Sequence, residues 1–168
     1  MLVDLESPDA RHLVRPEEKL VNQSGWLFQA IIEGAPEGIV AADPEGVIVL
    51  WNSGAEALFG YRADEALGQT LDLIIPERYR ERHWAGYRSV MRTGSTRYGR
   101  RLLAVPGVRK DGTPISIEFH VVLLRGPSGA VAGVAAIIRD VTERWHRERA
   151  QRRRLEELEA RVTAQSAD

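Results

Sequence analysis

"GIVAADPEGVIVLWNSGAEALFGYRADEALGQ", from Gly38 to Gln69, holds two kinds of order side by side. Two β-branched runs flank Asp43-Pro44-Glu45-Gly46, which has turn chemistry at every position, so the first half predicts a β-hairpin. Asn52 follows at a strand-to-helix corner, where its side chain can hydrogen-bond nearby backbone. "SGAEALFGY" predicts a short helix ended by Gly60. "ADEALGQ" predicts another, with Gly68 past its end.

Outward from this stretch the pattern continues. On the N-terminal side, "SGWLFQAIIEGAP" predicts a helix with Ser24 as N-cap. Trp26, Leu27, Ala30 and Ile31 lie at helical spacing, and Gly34 and Pro36 stop it. Residues 1–20 are charged, carry two prolines and read as a mobile arm or as a short helix that needs a partner, which sets an N-terminal arm over 1–23. On the C-terminal side, "TLDLIIP" leads into a longer helix from about Glu77 to Arg92, closed by "TGS". Three apolar runs then fill "RRLLAVPGVRKDGTPISIEFHVVLLRGPSGAVAGVAAIIRDVT", separated by the hairpin turns "KDG" and "GPSG". The segment 143–168 has no glycine or proline and predicts a helix, in which Leu155, Leu158 and Val162 start a coiled-coil seam. The order gives an α+β domain over 24–142, with one five-stranded antiparallel sheet and helices on one face.

The chain has 168 residues and a formal net charge of −1, which suits one soluble domain and argues against a dedicated nucleic-acid surface. The basic stretch "RWHRERAQRRR" is followed at once by Glu156, Glu157 and Glu159, so it reads as a solvated helix. There are no cysteines. That removes disulfides, thiolate haem ligation, iron–sulfur clusters, cysteine-type zinc sites and the photoactive cysteine of flavin light sensors. No signal peptide or membrane-spanning run is present, so a cytoplasmic location is expected. No Ser/His/Asp arrangement, HExxH spacing or GxGxxG fingerprint occurs, so no enzyme is expected. Asp43, Asp64 and Asp72 read as turn and cap residues.

The stretch 38–69, then "RKDGTPISIEF", then "IIRDVTER" with Asp140 and Thr142, together resemble the PAS family of sensor domains. The resemblance covers roughly residues 24–144. It implies a small-ligand site between the sheet and the short helices, or a dimerising relay. The fold alone does not choose between these.

One histidine bears on that choice. On the residues alone, His83 in "PERYRERHWAGY" is either solvated on a polar helix or turned inward. The segment "IPERYRERH", with Pro76, Glu77, Arg82 and His83, and its spacing to Asp111-Gly112 resemble haem-binding oxygen-sensor PAS domains of the FixL type. That resemblance implies haem b, with His83 as the iron ligand. Ile115, Ile117, Phe119, Val121 and Leu123 share one strand face, and Phe119 and Val121 are candidates for the distal wall. Leu73, Ile74, Tyr87 and Met91 are candidates to pack near the macrocycle. Arg82, Arg88, Arg97 and Arg100 are candidate partners for the propionates. Where the FixL type carries a gas-stabilising arginine this chain has Leu103, and Arg100 or Arg101 are substitutes nearby. An apolar distal pocket favours CO and NO over O2.

The expected function is thus a sensor of diatomic gas or redox state. The alternative is a haem-free PAS module that binds a flavin or organic metabolite, or mediates protein contact. His120, on the opposite strand face, and His146, in the tail helix, are expected to be exposed. Trp26, Ile31 and Trp145 exceed what a small core buries. The expected assembly is therefore a parallel homodimer with paired tail helices, signalling to a separate partner protein.

Overall fold

The computed structural model describes residues 16–96 and 101–165. The expected arm with His12, the cations Arg97 and Arg100, and the side chain of Val162 lie outside what is described. Helix α1 (Pro16–Gly34) leads into strands β1 (Gly38–Ala42) and β2 (Ile48–Trp51). Helices α2 (Ser53–Phe59) and α3 (Ala63–Ala66), a 3-10 turn at Leu71–Leu73 and helix α4 (Glu77–Thr93) follow. Strands β3 (Leu103–Val108), β4 (Pro114–Arg125) and β5 (Val131–Asp140) precede the final helix α5 (Thr142–Gln165). The five strands form one sheet in the order β2-β1-β5-β4-β3, and all neighbours are antiparallel. Pro106 lies in β3, an edge strand, where a missing N–H is tolerated.

The expectation that Ser24 caps the first helix is corrected. Helix α1 begins at Pro16 and runs through Ser24. A proline suits the first helical position because its missing N–H has no partner there anyway. The expected boundary between residues 23 and 24 therefore falls inside a helix. The remaining elements lie close to where the sequence pattern puts them.

The core forms between the sheet and the short helices. Val40, Ile48, Trp51, Phe59, Leu71, Ile115, Ile117 and Ile138 are buried together. Each such large side chain contributes roughly 1.5–3 kcal/mol relative to leaving it in water. Trp51 belongs to this core, with its ring 5.4 Å from that of Phe59.

Asn52 organises the corner. Its Oδ1 accepts from Ile39 N at 2.7 Å and from Ala55 N at 2.9 Å, and its Nδ2 donates to Ile32 O at 2.7 Å and Glu37 O at 3.0 Å. One fully buried amide thus joins the end of α1, the start of β1 and the start of α2. Gly54 makes the close approach possible, since a Cβ there would lie 2.1 Å from Glu37 O.

The exit from the sheet is equally defined. Asp140 Oδ1 accepts from Thr142 N at 2.8 Å, as expected of a residue that starts a helix, and Asp140 Oδ2 accepts from Arg109 at 2.7 Å. Ser116 N donates to Thr142 Oγ1 at 2.9 Å, and Arg144 pairs with Glu118, so β4 holds the first turn of α5. Beyond that turn α5 is exposed as far as Glu159, and so is α1 over residues 25–31, where Trp26 is 63% exposed. His120 and His146 are exposed, as expected. Among the described residues, no helix is long and apolar enough to cross a membrane.

Candidate functional site

Helix α4 carries Arg80, His83, Trp84, Tyr87 and Met91 at three- and four-residue spacing, and none of these is fully exposed. The helix runs along the inner face of the sheet. Just ahead of it, Val108 N donates to Ile74 O at 3.1 Å, and at its C-cap Arg125 donates to Gly94 O at 2.8 Å. The question raised by His83 therefore has a structural answer: it belongs to the inward stripe.

Three aromatic rings meet there. The His83 ring lies 5.0 Å from Trp84, edge to face, and 5.8 Å from Tyr87. The Tyr87 hydroxyl donates to Asp43 O, which ties α4 to the β1–β2 turn. Burial first, and then Asp43 and Glu45, push the Tyr87 hydroxyl up to about 12, so it stays a donor. His83 Nδ1 is buried and has no hydrogen-bond partner. Burial lowers the His83 pKa below its ordinary value, against an opposing pull from Asp72. The imidazole is thus neutral at neutral pH, the form that binds a metal. Among the described residues no group of three or more His, Cys, Asp or Glu could hold a metal ion.

The sheet beneath changes character along its length. On β4, Ile115 and Ile117 are 4% and 5% exposed. Phe119, Val121 and Leu123, on the same face, are only half-buried. On β3, Leu103 is half-buried and in register with Phe119, whereas Val105, in register with the buried Ile117, is 38% exposed. Along β4 the inner face is thus sealed at Ile115 and Ile117 and less covered from Phe119 onward.

Of the expected site residues, Ile74 and Tyr87 are in the buried core, and Leu73, Met91 and Phe119 pack against it. Val121 lies beside Ala136, which also packs on that core. Leu103 stands opposite Phe119. Arg82 and Arg88 are exposed and outside this cluster. Sequence reading missed Trp84, which packs against the core and whose Nε1 donates to Asp72 Oδ1 at 2.8 Å. Asp72, read as a turn residue, is thus also the anchor of an inward aromatic. A separate concavity of about 290 Å³ lies by Phe59, Gly60, Arg109 and Lys110. Its cations are paired, Arg109 with Asp140 and Lys110 with Glu65, although Arg109 Nε is buried without a partner, and Asp111 also lines it.

Comparison with known proteins agrees with this architecture. Sensor protein FixL of Bradyrhizobium diazoefficiens is 33% identical over 139 residues, which cover 80% of this chain and 26% of FixL. The chain thus spans about a quarter of that relative's length. The PAS domain of a protein from Colwellia psychrerythraea superposes with a TM-score of 0.61 at 25% identity, covering 74% of this chain and 98% of that one. An RNA-binding light-oxygen-voltage receptor superposes with a TM-score of 0.63 at 26% identity, covering 94% of this chain and 42% of that one. Residues 27–141 match the family described as the PAS fold, and the chain belongs to that family.

Proposed function

We propose that this PAS domain binds haem b through His83 and senses a diatomic gas (O2, CO or NO) or redox state. The observation that carries the reading is the buried, unpartnered Nδ1 of a neutral imidazole on the inward face of α4. Burying a polar atom without a partner costs about 1–3 kcal/mol, and such atoms in native proteins call for an explanation. The similarity to FixL supports the same ligand. Haem iron would supply the chemistry that binds a small gas. His83 would supply a nitrogen ligand to it. Leu73, Ile74, Tyr87 and Met91 would line the macrocycle, with Phe119 and Val121 on the far wall. Arg82 and Arg88, at the surface, would meet the propionates. Leu103 offers no hydrogen bond to a polar bound gas, so CO and NO are favoured over O2. Protein purified with haem supplied should show a Soret band. No band, or an unchanged band in His83→Ala, refutes the reading.

Leu103 also favours a second reading, a haem-free module that takes a flavin or an organic metabolite. Protein that stays colourless with haem but carries an extractable small molecule would support it. Under either reading the output is a homodimer that signals to a separate partner protein. The exposed Trp26, Leu27, Phe28 and Ile31 of α1, and Trp145, Leu155 and Leu158 of α5, favour a second copy as their cover. Sedimentation tests it: a monomer at micromolar concentration rules the dimer out. A dimer that persists after truncation at Arg144 moves the contact to α1.

A further inference from the structure

Trp84 is held at both ends. Its Nε1 donates to Asp72 Oδ1 at 2.8 Å. Asp72 is itself fixed, because its backbone oxygen accepts from Arg80 at 3.0 Å and its carboxylate lies 3.7 Å from the same guanidinium. The far edge of the indole rests on Gly46, in the β1–β2 turn. A Cβ at Gly46 would lie 2.3 Å from the Cη2 and Cζ3 atoms of Trp84, so the seat exists only because residue 46 is glycine. Between these anchors the indole packs edge-on against His83 at 5.0 Å and against Tyr87 at 5.5 Å.

An imidazole has broad freedom about its outer side-chain torsion. His83 has no hydrogen bond at Nδ1 to restrict that freedom. Its ring is instead braced by two aromatics, each tied to an element other than α4: Trp84 to Asp72, and Tyr87 to Asp43. We infer that Trp84, anchored by Asp72 and seated on Gly46, is a positioning residue that sets the plane of the His83 imidazole for its ligand. The inference rests on the reading of His83 as an axial ligand and assigns a role to a residue outside that ligand set. A metal-bound histidine is usually oriented by a hydrogen bond at its other nitrogen, and loss of such support commonly costs ten- to hundred-fold in affinity. With Nδ1 left for the iron under that reading, ring packing against Trp84 and Tyr87 supplies such orientation here.

The test compares haem affinity and the iron–histidine stretching band in wild-type protein, Trp84→Leu, Trp84→Phe and Asp72→Asn. Trp84→Leu removes the brace; it should keep a Soret band, because His83 remains, but bind haem about tenfold more weakly with a broadened or shifted band. Trp84→Phe keeps an aromatic ring but loses the tether, and should fall between. Asp72→Asn keeps an oxygen that accepts the indole N–H, and should stay near wild type. If Trp84→Leu fails to fold, Trp84→Phe carries the comparison. Wild-type affinity and an unchanged band in both Trp84 variants overturn the positioning role while leaving His83 as ligand. A wild-type protein with no Soret band overturns the ligand reading and this one with it.

Discussion

Asn52 and His83 are polar side chains set among apolar ones, and the chain treats them differently. Asn52 is fully buried, and both its oxygen and its nitrogen are matched to backbone groups of three elements. His83 sits on the inward stripe with Nδ1 unmatched. The first group completes a structure. The second is left incomplete, and the rings beside it are Trp84 and Tyr87 rather than a hydrogen-bond partner. The polar group that the fold needs is satisfied by the fold, whereas the polar atom on α4 is left without a partner.

The largest effect tests the satisfied side. Asn52→Leu would leave Ile39 N, Ala55 N, Ile32 O and Glu37 O without their partner in the interior. At about 1–3 kcal/mol for each unmatched group, partly relieved by water, the loss should be about 4 kcal/mol in urea unfolding of the haem-free protein. A loss under about 1 kcal/mol would mean the corner rests on something other than this amide.

Gly46 lies between the two regions, in the β1–β2 turn and under Trp84. It adopts φ 84, and a Cβ would enter the indole ring. Gly46→Ala should cost about 2 kcal/mol, combining left-handed backbone strain with a displaced indole. Tryptophan emission should shift as Trp84 leaves Asp72. A stable variant with unchanged emission would separate the turn from the site.

These residues also show what could be read from sequence. The Asp43–Gly46 turn was legible because its signal is local: Asp43 Oδ1 accepts from Glu45 N and Val47 N. The Asn52 corner was legible for the same reason, through its short-range bond to Ala55 N. The inward run Ile115, Ile117, Phe119 was legible from strand alternation. The Trp84–Asp72 bond was not, because it joins residues twelve apart across a chain reversal. Gly46 was already accounted for by the turn, which hid its second role under Trp84. The start of α1 was missed because Ser24 carries a capping signal that the preceding helix overrides. The lesser cover of β4 from Phe119 onward was not legible either, since alternation marks which face is inward but not how completely other elements cover it.

His83→Leu tests the unsatisfied side. Leucine keeps apolar bulk and removes the unmatched nitrogen, so the unfolding free energy should stay within about 1 kcal/mol of wild type or rise. The Soret band should vanish. A loss as large as that from Asn52→Leu would show that His83 is structural and would collapse the contrast between the two residues.

The smallest effect is in the pH dependence of the haem-free protein. Burial lowers the folded-state pKa of His83 below its ordinary 6.5, with Asp72 opposing. Between the lowered value and 6.5 the unfolded chain holds a proton on this imidazole that the folded chain does not. Stability therefore rises with pH across that window, because the unfolded state binds more protons. The contribution is complete above about pH 6.5 and is lost as pH falls from there through the lowered folded value. Urea unfolding near pH 7.5 and again near pH 5.5 should show wild type losing more stability than His83→Leu, which has no imidazole to protonate. Equal losses would mean that the imidazole is as well solvated folded as unfolded. Greater loss in the variant would reverse the sign and place a protonated His83 in a stabilising contact. Either result would remove the difference between a residue the fold has satisfied and one it has left open.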